Sequence, residues 1–418
     1  MYHLFTNKGL NYVYLTDYKQ LFRIDDETFK VLNNRKDTAE KTMIIDEFKK
    51  TLKDVDYQSI NEVKDFRYGL FLNIANTCNA MCSYCFASQG TYGKDDSFMD
   101  YKTSKKSIDF FMSKVPKYAI ANIIFFGGEP TLKFDLIAKT VSYVKEVYNY
   151  RNFKFHIVTN GTLLTKYMID YFSCHEFSMG ISIDGDIKVQ NSQRPLKNKK
   201  DSYYEATKNL EYIFEKMKYV HARGTYSNFN ISLKEAYKHL LDLGFNEVSI
   251  PPNILDDVQN REFEKLLEQM DELYEFIVEY CKFNDDFPFG VFYEYIRRIF
   301  MVKLDIEYSC GIGESIFSVN ADGNIYPCHR FASEDQFILK NLFDEKPLKK
   351  FNYESKECHK CWNQYTCSHG CYYNDYFYSN SISKNPYWCI YSKKMTELSL
   401  LLIPYLSESQ LNRILSIS

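Results

Sequence analysis

Residues 76–86 read NTCNAMCSYCF and bring three cysteines, Cys78, Cys82 and Cys85, onto one short loop. In a chain of 418 residues with twelve cysteines, random placement would give this C-x3-C-x2-C spacing roughly 0.01 times, so it indicates a metal centre. Soft thiolates select iron–sulfur clusters, and three of them can hold three corners of a cubane cluster while the fourth iron stays open to a small molecule. The alternative is a zinc knuckle whose fourth ligand lies elsewhere.

The cysteine loop follows the first of six short apolar segments that alternate with amphipathic ones. The predicted strands are 69–74, 122–126, 154–158, 178–183, 220–225 and 247–250. The predicted helices between them lie near 103–114, 133–148, 163–173, 202–216 and 231–243. This alternation predicts an α/β fold in which βα units surround a parallel sheet, as a partial or full barrel.

Other unusual residues also follow predicted strands. Gly127-Gly128-Glu129-Pro130 comes after the second strand, Asn160-Gly161 after the third and Asp184-Gly185 after the fourth. The sites of such barrels lie at the carboxyl ends of the strands. The sequence therefore predicts one site at this edge, together with the cysteine loop.

The composition, 45% hydrophobic and 26% charged residues, is that of a globular protein. The formal net charge of −3 provides no positive field for nucleic acid or an anionic membrane. The start of the sequence lacks the features of a signal peptide, so we expect a cytoplasmic protein. Disulfides are disfavoured there, and the twelve cysteines need another role.

A second group of cysteines lies near the end of the chain. Seven cysteines exceed the four that one zinc or cubane site needs. They follow the pattern C-x12-G-x4-C, C-x2-C-x5-C-x3-C and a final C, formed by Cys310, Gly323, Cys328, Cys358, Cys361, Cys367, Cys371 and Cys389. Cys174 and Cys281 fit neither group and are interpreted as structural thiols.

The first motif, C-x3-C-x-aromatic-C after the first barrel strand, resembles the signature of the radical S-adenosylmethionine (radical SAM) superfamily. The resemblance implies a partial (β/α)6 barrel and a [4Fe–4S] cluster at Cys78, Cys82 and Cys85, whose open iron chelates SAM. It also implies reductive cleavage of SAM to a 5′-deoxyadenosyl radical. The cofactor would supply the chemistry, while the protein positions the substrate and excludes water.

The resemblance extends along the barrel edge. Gly127, Gly128, Glu129 and Pro130 are similar to the family's GGEP motif, which contacts the SAM amino group. Glycine permits close backbone approach, and a carboxylate suits an ammonium. Tyr84 would lie near the adenine. Ribose and carboxylate contacts are implied for Thr159, Asn160, Ser182, Asp184 and Arg194, with Arg223 as a further candidate; ordinary loop or surface roles are the alternative.

The tail pattern resembles the SPASM extension of radical SAM enzymes. It implies one auxiliary [4Fe–4S] cluster at Cys358, Cys361, Cys367 and Cys389 and another at Cys310, Cys328 and Cys371, which makes three clusters in all. Many relatives with a closed first auxiliary cluster carry an extra cysteine shortly after the first one, whereas residues 311–317 contain none. We therefore expect an open iron that takes a substrate thiolate. Water or a local ligand such as Glu314 is the alternative.

The first 60 residues resemble the peptide-recognition element (RRE-like, winged-helix) of peptide-modifying radical SAM enzymes. Strands at 12–16 and 20–24 and helices at 25–32 and 44–52 are predicted. An extended leader peptide can add a strand to such a platform. Segments 22–28 and 85–90 are similar to maturases of six-cysteine (SCIFF-type) peptides, which form thioethers. The alternative is a small domain that only packs on the barrel.

These resemblances predict a radical SAM/SPASM maturase that installs thioether crosslinks, from cysteine sulfur to Cα or Cβ, in a ribosomally made precursor peptide with a leader (ranthipeptide or sactipeptide type). The implied electron donor is a reductant such as flavodoxin or ferredoxin, and neither nucleic acid nor membrane is an expected partner. One alternative is another radical SAM modification, namely a C–C crosslink, epimerisation or sulfatase-maturase-like formylglycine formation. Another is a non-catalytic iron–sulfur or zinc module.

The predicted organisation has five parts. They are a peptide-recognition domain over 1–60, a radical SAM barrel over 67–255, a helical connector over 256–305, a SPASM domain over 306–395 and a C-terminal helix over 396–418. The connector is predicted because Phe263, Leu266, Met270 and Leu273 recur at helical spacing.

Overall fold

The computed structural model describes residues 1–34, 36, 38–52, 68–254, 260–300, 310–351, 358–367, 369–379 and 384–416. Several predicted features lie outside these residues: the connector at 53–62, the barrel limits 67 and 255, and residues 256–259 and 301–309 of the predicted connector and tail. Among the helices of the described ranges, none combines the length and hydropathy needed to cross a bilayer.

The chain begins with a three-stranded antiparallel sheet and two helices. Strands β1, β2 and β3 hold Tyr2–Asn7, Leu10–Leu15 and Gln20–Ile24, and helices α1 and α2 hold Asp26–Asn33 and Ala39–Thr51. Strand β2 is central, with β1 and β3 on either side. Strand β1 was not predicted from the sequence, because only Phe5 in it is buried and no alternation marks it.

This first sheet packs on the tail of the chain. The ring of His3 in β1 stacks on Trp362 with 3.7 Å between centroids. Its Nε2 lies 2.8 Å from Glu397 Oε1. Strand β1 therefore joins the amino-terminal unit to the cysteine-rich region.

Six parallel strands form the barrel, as the alternation predicts. Strands β4 to β10 hold Tyr68–Asn76, Ser97–Phe98, Ala121–Gly127, Phe153–Thr159, Ser178–Ile181, Val220–Arg223 and Glu247–Ser249. Strand β5 is a two-residue strand antiparallel to β4. The others run parallel in the order β10-β9-β8-β7-β6-β4, which places their carboxyl ends at one edge.

The tail extends the same sheet. Strand β11 (Ile316–Val319) runs parallel to β4, and β12 (Asn324–Tyr326) and β13 (Lys340–Asn341) follow antiparallel. At this junction the buried Asn73 side chain donates to Asn320 Oδ1 at 2.7 Å. The sequence pattern does not predict that tail and barrel share one sheet, because the pairing joins segments far apart in the chain.

Helices connect the barrel strands. Helices α3 to α9 hold Tyr101–Lys114, Phe134–Val147, Lys166–Cys174, Ile187–Gln193, Ser202–Thr207, Leu210–Lys216 and Leu233–Asp242. The helix predicted at 202–216 is therefore two helices. The chain leaves helical geometry at Asn209 (φ −110°, ψ 5°), whose side chain donates to Leu164 O at 2.8 Å.

The remaining helices are α10 to α15, at Asn260–Cys281, Gly290–Phe300, Gln364–Cys367, Tyr372–Ser379, Pro386–Leu402 and Glu408–Ser416. A single helix over 396–418 is wrong for the described residues. Helix α14 begins at Pro386, where the Asn385 side chain caps the Trp388 N–H, and it ends at Leu402. Pro404 follows in a short 3₁₀ turn, where its missing N–H interrupts the α-helix.

Candidate active site

A cavity of about 1100 Å³ lies inside the barrel and is lined by its strands, the cysteine loop and part of the tail. Concave spaces with a largely apolar lining and a few polar groups are the usual places for small-molecule binding. Most of the predicted site residues line it: Cys78, Cys82, Tyr84, Cys85, Gly127, Gly128, Thr159, Asn160, Ser182, Arg194 and Arg223. Glu129, Pro130 and Asp184 do not.

Two glycines bring the cysteine loop against the end of β6. A Cβ on Gly128 would lie 2.1 Å from Thr77 O, and a Cβ on Gly90 would lie 2.9 Å from Cys78 Cβ. Any side chain at these positions would require the backbone to move. In this chain, Gly128 therefore serves as a packing surface for the loop.

Cys78 receives two weak hydrogen bonds at its sulfur. The Ala80 N–H lies 3.4 Å from Sγ, and Asn160 Nδ2 lies 3.8 Å from it. Burial, with Glu129 and the neighbouring thiols adding to it, raises the pKa of Cys78 to about 12. Donors that face sulfur, and a thiol that loses its proton only to a metal, suit an iron–sulfur cluster with SAM.

The Glu129 carboxylate accepts hydrogen bonds from neighbouring protein groups and does not line the cavity. Its Oε1 accepts hydrogen bonds from the Thr131 N–H (3.0 Å), the Thr131 hydroxyl (2.5 Å) and the Thr159 hydroxyl (2.7 Å). Its Oε2 accepts from the Asn160 N–H at 2.7 Å. Burial raises the pKa of Glu129, and these donors oppose that shift. Glu129 thus links the loops after β6 and β7, and the expected contact of this carboxylate with the SAM amino group stays a prediction.

Asp184 and Arg194 form a buried ion pair. Arg194 Nε and Nη2 donate to the two carboxylate oxygens at 3.0 Å each. The Thr225 N–H donates to Asp184 Oδ1 at 2.9 Å, and the Tyr84 hydroxyl donates to Oδ2. The guanidinium also lies 5.3 Å from the centre of the Tyr84 ring. Asp184 thus engages the Nε and Nη2 donors of Arg194, and a contact of either residue with SAM stays a prediction.

Two of the remaining predicted contacts, Ser182 and Pro130, lie at the expected edge. The Ser182 N–H donates to Thr159 O at 2.8 Å, which leaves its side chain at the cavity wall. Pro130 begins a short 3₁₀ helix after Glu129. Arg223, the last residue of β9, extends into the cavity.

Three tail cysteines form one neighbouring group. Burial, with Cys371 and Cys310 nearby, raises the pKa of Cys328 to about 12. Burial, with Cys371 nearby, likewise raises the pKa of Cys310 to about 11. These are the residues expected to hold the first auxiliary cluster, and their role as ligands stays a prediction.

The other four tail cysteines form a second group. Burial, with Cys367 and Cys358 nearby, raises the pKa of Cys389 to about 12. Burial also raises the pKa of Cys367, to which Cys358 and Cys361 contribute. These four cysteines are the residues expected to hold the other auxiliary cluster, and their role as ligands stays a prediction.

Two residues absent from the sequence prediction connect the first tail group with the cavity. His329 stacks on Phe71 with 4.2 Å between ring centres, and both line the cavity. Arg330 Nη1 lies 2.9 Å from Asn374 Oδ1 and 3.9 Å from Cys371 Sγ. The only sequence signal for them was their position directly after Cys328.

Comparisons with known proteins agree with this geometry. The family model of the radical SAM superfamily matches residues 72–226. The chain is 29% identical over 312 residues to an uncharacterized protein of Methanocaldococcus jannaschii, with 69% of this chain and 94% of that protein covered. It is 25% identical over 343 residues to a cysteine-type anaerobic sulfatase-maturating enzyme of Clostridium novyi, with 71% and 85% covered.

Solved structures share the fold. The structure of anSMEcpe with bound AdoMet superposes with a TM-score of 0.70 at 20% identity, covering 83% of this chain and 97% of that one. Streptococcus suis SuiB bound to the precursor peptide SuiA superposes with a TM-score of 0.52 at 16% identity, covering 87% and 92%. Since the matched region contains the cysteine loop and most of the parallel strands that line the cavity, residues 72–226 are a radical SAM domain.

Proposed function

We propose that this enzyme modifies a cysteine-containing peptide and installs thioether crosslinks, from cysteine sulfur to Cα or Cβ of an acceptor residue. When bound at Cys78, Cys82 and Cys85, a [4Fe–4S] cluster with SAM supplies an organic radical that can remove a hydrogen atom from the substrate. The chain itself fixes the loop through Gly128 and encloses the substrate in the cavity. Enclosure keeps water from the reacting atoms.

The observation that carries this proposal is a group of three cysteines where a closed cubane needs four ligands. Cys310 and Cys371 both contribute to the raised pKa of Cys328, which is consistent with three thiols in one region, and residues 311–317 contain no further cysteine. The segment after Cys310 turns tightly, since the Ile316 N–H donates to Gly311 O at 2.9 Å. Glu314 is exposed on this turn and does not line the cavity. An iron left open here would bind a peptide cysteine as its thiolate beside the cavity. Loss of the thiol proton and of one hydrogen atom from the acceptor carbon leaves one electron when the C–S bond forms, and the auxiliary cluster would accept that electron.

The test is anaerobic reaction of the reduced, reconstituted enzyme with SAM and a leader-bearing peptide that contains cysteine, followed by mass spectrometry and thiol alkylation. We expect each crosslink to lower the mass by two hydrogen atoms and to remove one alkylatable thiol. The Cys371→Ala variant should keep peptide-free SAM cleavage and lose the crosslink. An unchanged mass would indicate epimerisation, and a lower mass with all thiols retained would indicate a C–C crosslink; either result contradicts the proposal.

A second candidate function is oxidation of a sulfatase cysteine to formylglycine. It is favoured by the 25% identity to a cysteine-type anaerobic sulfatase-maturating enzyme over 71% of this chain. That product has lost its sulfur, whereas a thioether keeps it. The same mass measurement on a sulfatase-derived cysteine peptide therefore separates the two.

The amino-terminal sheet is the proposed binding site for the leader of the peptide. In the described residues β3 pairs only with β2, so its outer edge is open to an added strand. Strand β1 is the opposite edge and packs on the tail through His3. A leader on β3 would therefore bind without disturbing that contact.

A further inference from the structure

The cavity continues past the predicted SAM contacts into the interior of the barrel, where its wall is polar. Besides apolar side chains, polar ones from four strands line this part: Asn122 from β6, His156 from β7, His221 and Arg223 from β9, and Glu247 from β10. Barrel interiors are commonly filled by branched apolar side chains. An open, polar interior is instead suited to receive a polar group of a substrate.

Arg223 is directed toward this interior and away from the cysteine loop. In the β8–β9 pairing, His221 lies opposite Gly180 and Arg223 is two residues further along. Yet a Cβ on Gly180 would lie 2.9 Å from Arg223 Cδ and 2.7 Å from His221 Nε2. The Arg223 side chain thus runs back across Gly180 toward the amino ends of the strands. It occupies the space that is free because Gly180 has no side chain.

The Arg223 guanidinium has no direct anionic partner in the described part of the chain. No hydrogen bond or ion pair within 4.0 Å joins it to another side chain there, whereas Arg194 is bound bidentately by Asp184. Burial lowers the pKa of Arg223, and Glu247 and Tyr219 nearby oppose that shift. The Tyr219 hydroxyl already donates to Glu247. The Arg223 side chain is accessible from the cavity, and a carboxylate there would accept two parallel hydrogen bonds from its guanidinium.

We propose that Arg223 anchors a carboxylate of the peptide substrate in the barrel interior, from either an acidic side chain or the peptide's own carboxyl terminus. The inference rests on the proposed peptide function and names a feature of its substrate. It differs from the sequence-based expectation that Arg223 contacts SAM, because the side chain runs away from the cluster edge.

Binding of three short probes to the reconstituted, SAM-loaded enzyme tests this anchor. The probes are acetyl-Cys-Ala-Asp-Ala-amide, acetyl-Cys-Ala-Asn-Ala-amide, and acetyl-Cys-Ala-Asn-Ala with a free carboxyl terminus. We expect at least one acidic probe to bind about ten- to a hundredfold more tightly than the neutral amide, measured by calorimetry. The probe that gains identifies the source of the carboxylate.

Two variants assign the preference to Arg223. Arg223→Gln removes the charge, and Gly180→Ala fills the space beneath the side chain while keeping the charge. Both should abolish the preference for acidic probes and leave SAM binding and peptide-free SAM cleavage at wild-type levels. Arg223→Lys should retain part of the preference, because a lysine keeps the charge without the bidentate geometry.

Two results would overturn the anchor: equal binding of all three probes by the wild type, or weakened SAM binding in Arg223→Gln, which would make Arg223 a SAM contact. Because the readout is binding, it is independent of product formation. Selective probe binding without any modified peptide would contradict the proposed function and support the carboxylate anchor at Arg223. Modified peptide without selective probe binding would support the proposed function and contradict the carboxylate anchor.

Discussion

The Asp184 carboxylate lies in an almost closed pocket, with 1% of its side chain exposed and 11% of that of Arg194. It accepts from Arg194, from the Thr225 N–H and from Tyr84. The pair fixes Tyr84, which stands between Cys82 and Cys85 in the cysteine loop. The two charges of the Asp184–Arg194 pair neutralise each other, so the pair stabilises the shape of the cavity wall.

Asp184→Asn should therefore lower the free energy of unfolding by about 3–5 kcal/mol, because it leaves the Arg194 charge uncompensated in a buried place. Denaturant unfolding under anaerobic conditions measures this loss. The matched control is Glu215→Gln, which breaks an exposed pair with Lys216 and should cost about 0–1 kcal/mol. Equal losses in the two variants would show that the buried pair does not stabilise the site.

Single residues also mark what the sequence could and could not predict about the site. The spacing of Cys78, Cys82 and Cys85 predicts a cluster loop by itself, because local spacing decides which thiols share a loop. The partners of Glu129 and Arg194 are not predictable in this way. A charged side chain can pair with any of several nearby groups, and tertiary geometry decides which one. Here Glu129 and Arg194 both pair with groups of the protein.

At the scale of elements, apolar alternation predicts the six parallel strands because each is a short buried segment between amphipathic helices. The same pattern cannot report β1, whose side chains are mostly half-buried, or the pairing of β11 with β4, which joins distant segments. The break at Asn209 and the start of α14 at Asn385 depend on single polar side chains. Such local capping is weaker than periodicity as a sequence signal.

The amino-terminal sheet is the element whose role is most easily separated from the rest. Removing residues 1–60 should leave peptide-free SAM cleavage intact and reduce modification of a leader-bearing peptide to the level of a leaderless one, because the open edge of β3 is lost. Product yields with the two peptides measure this. Normal processing of the leader-bearing peptide by the truncated enzyme would show that the sheet only packs on the tail.

At the scale of the whole molecule, the chain arranges ten cysteines as three neighbouring groups around one sheet. The first group lines the cavity, and the second meets the cavity through His329 and Arg330. The third group includes Cys389 in α14, which packs on α11 through a 3.1 Å contact between Tyr295 Oη and Ser392 Oγ.

The most direct test of this three-cluster arrangement is the iron and labile sulfide content after anaerobic reconstitution. The wild type should hold about twelve irons with matching sulfide, and a variant with Cys78, Cys82 and Cys85 all replaced by Ala should hold about eight. The variant should also lose SAM cleavage entirely. Zinc with little sulfide in the wild type, or an iron content that the triple replacement leaves unchanged, would contradict the account.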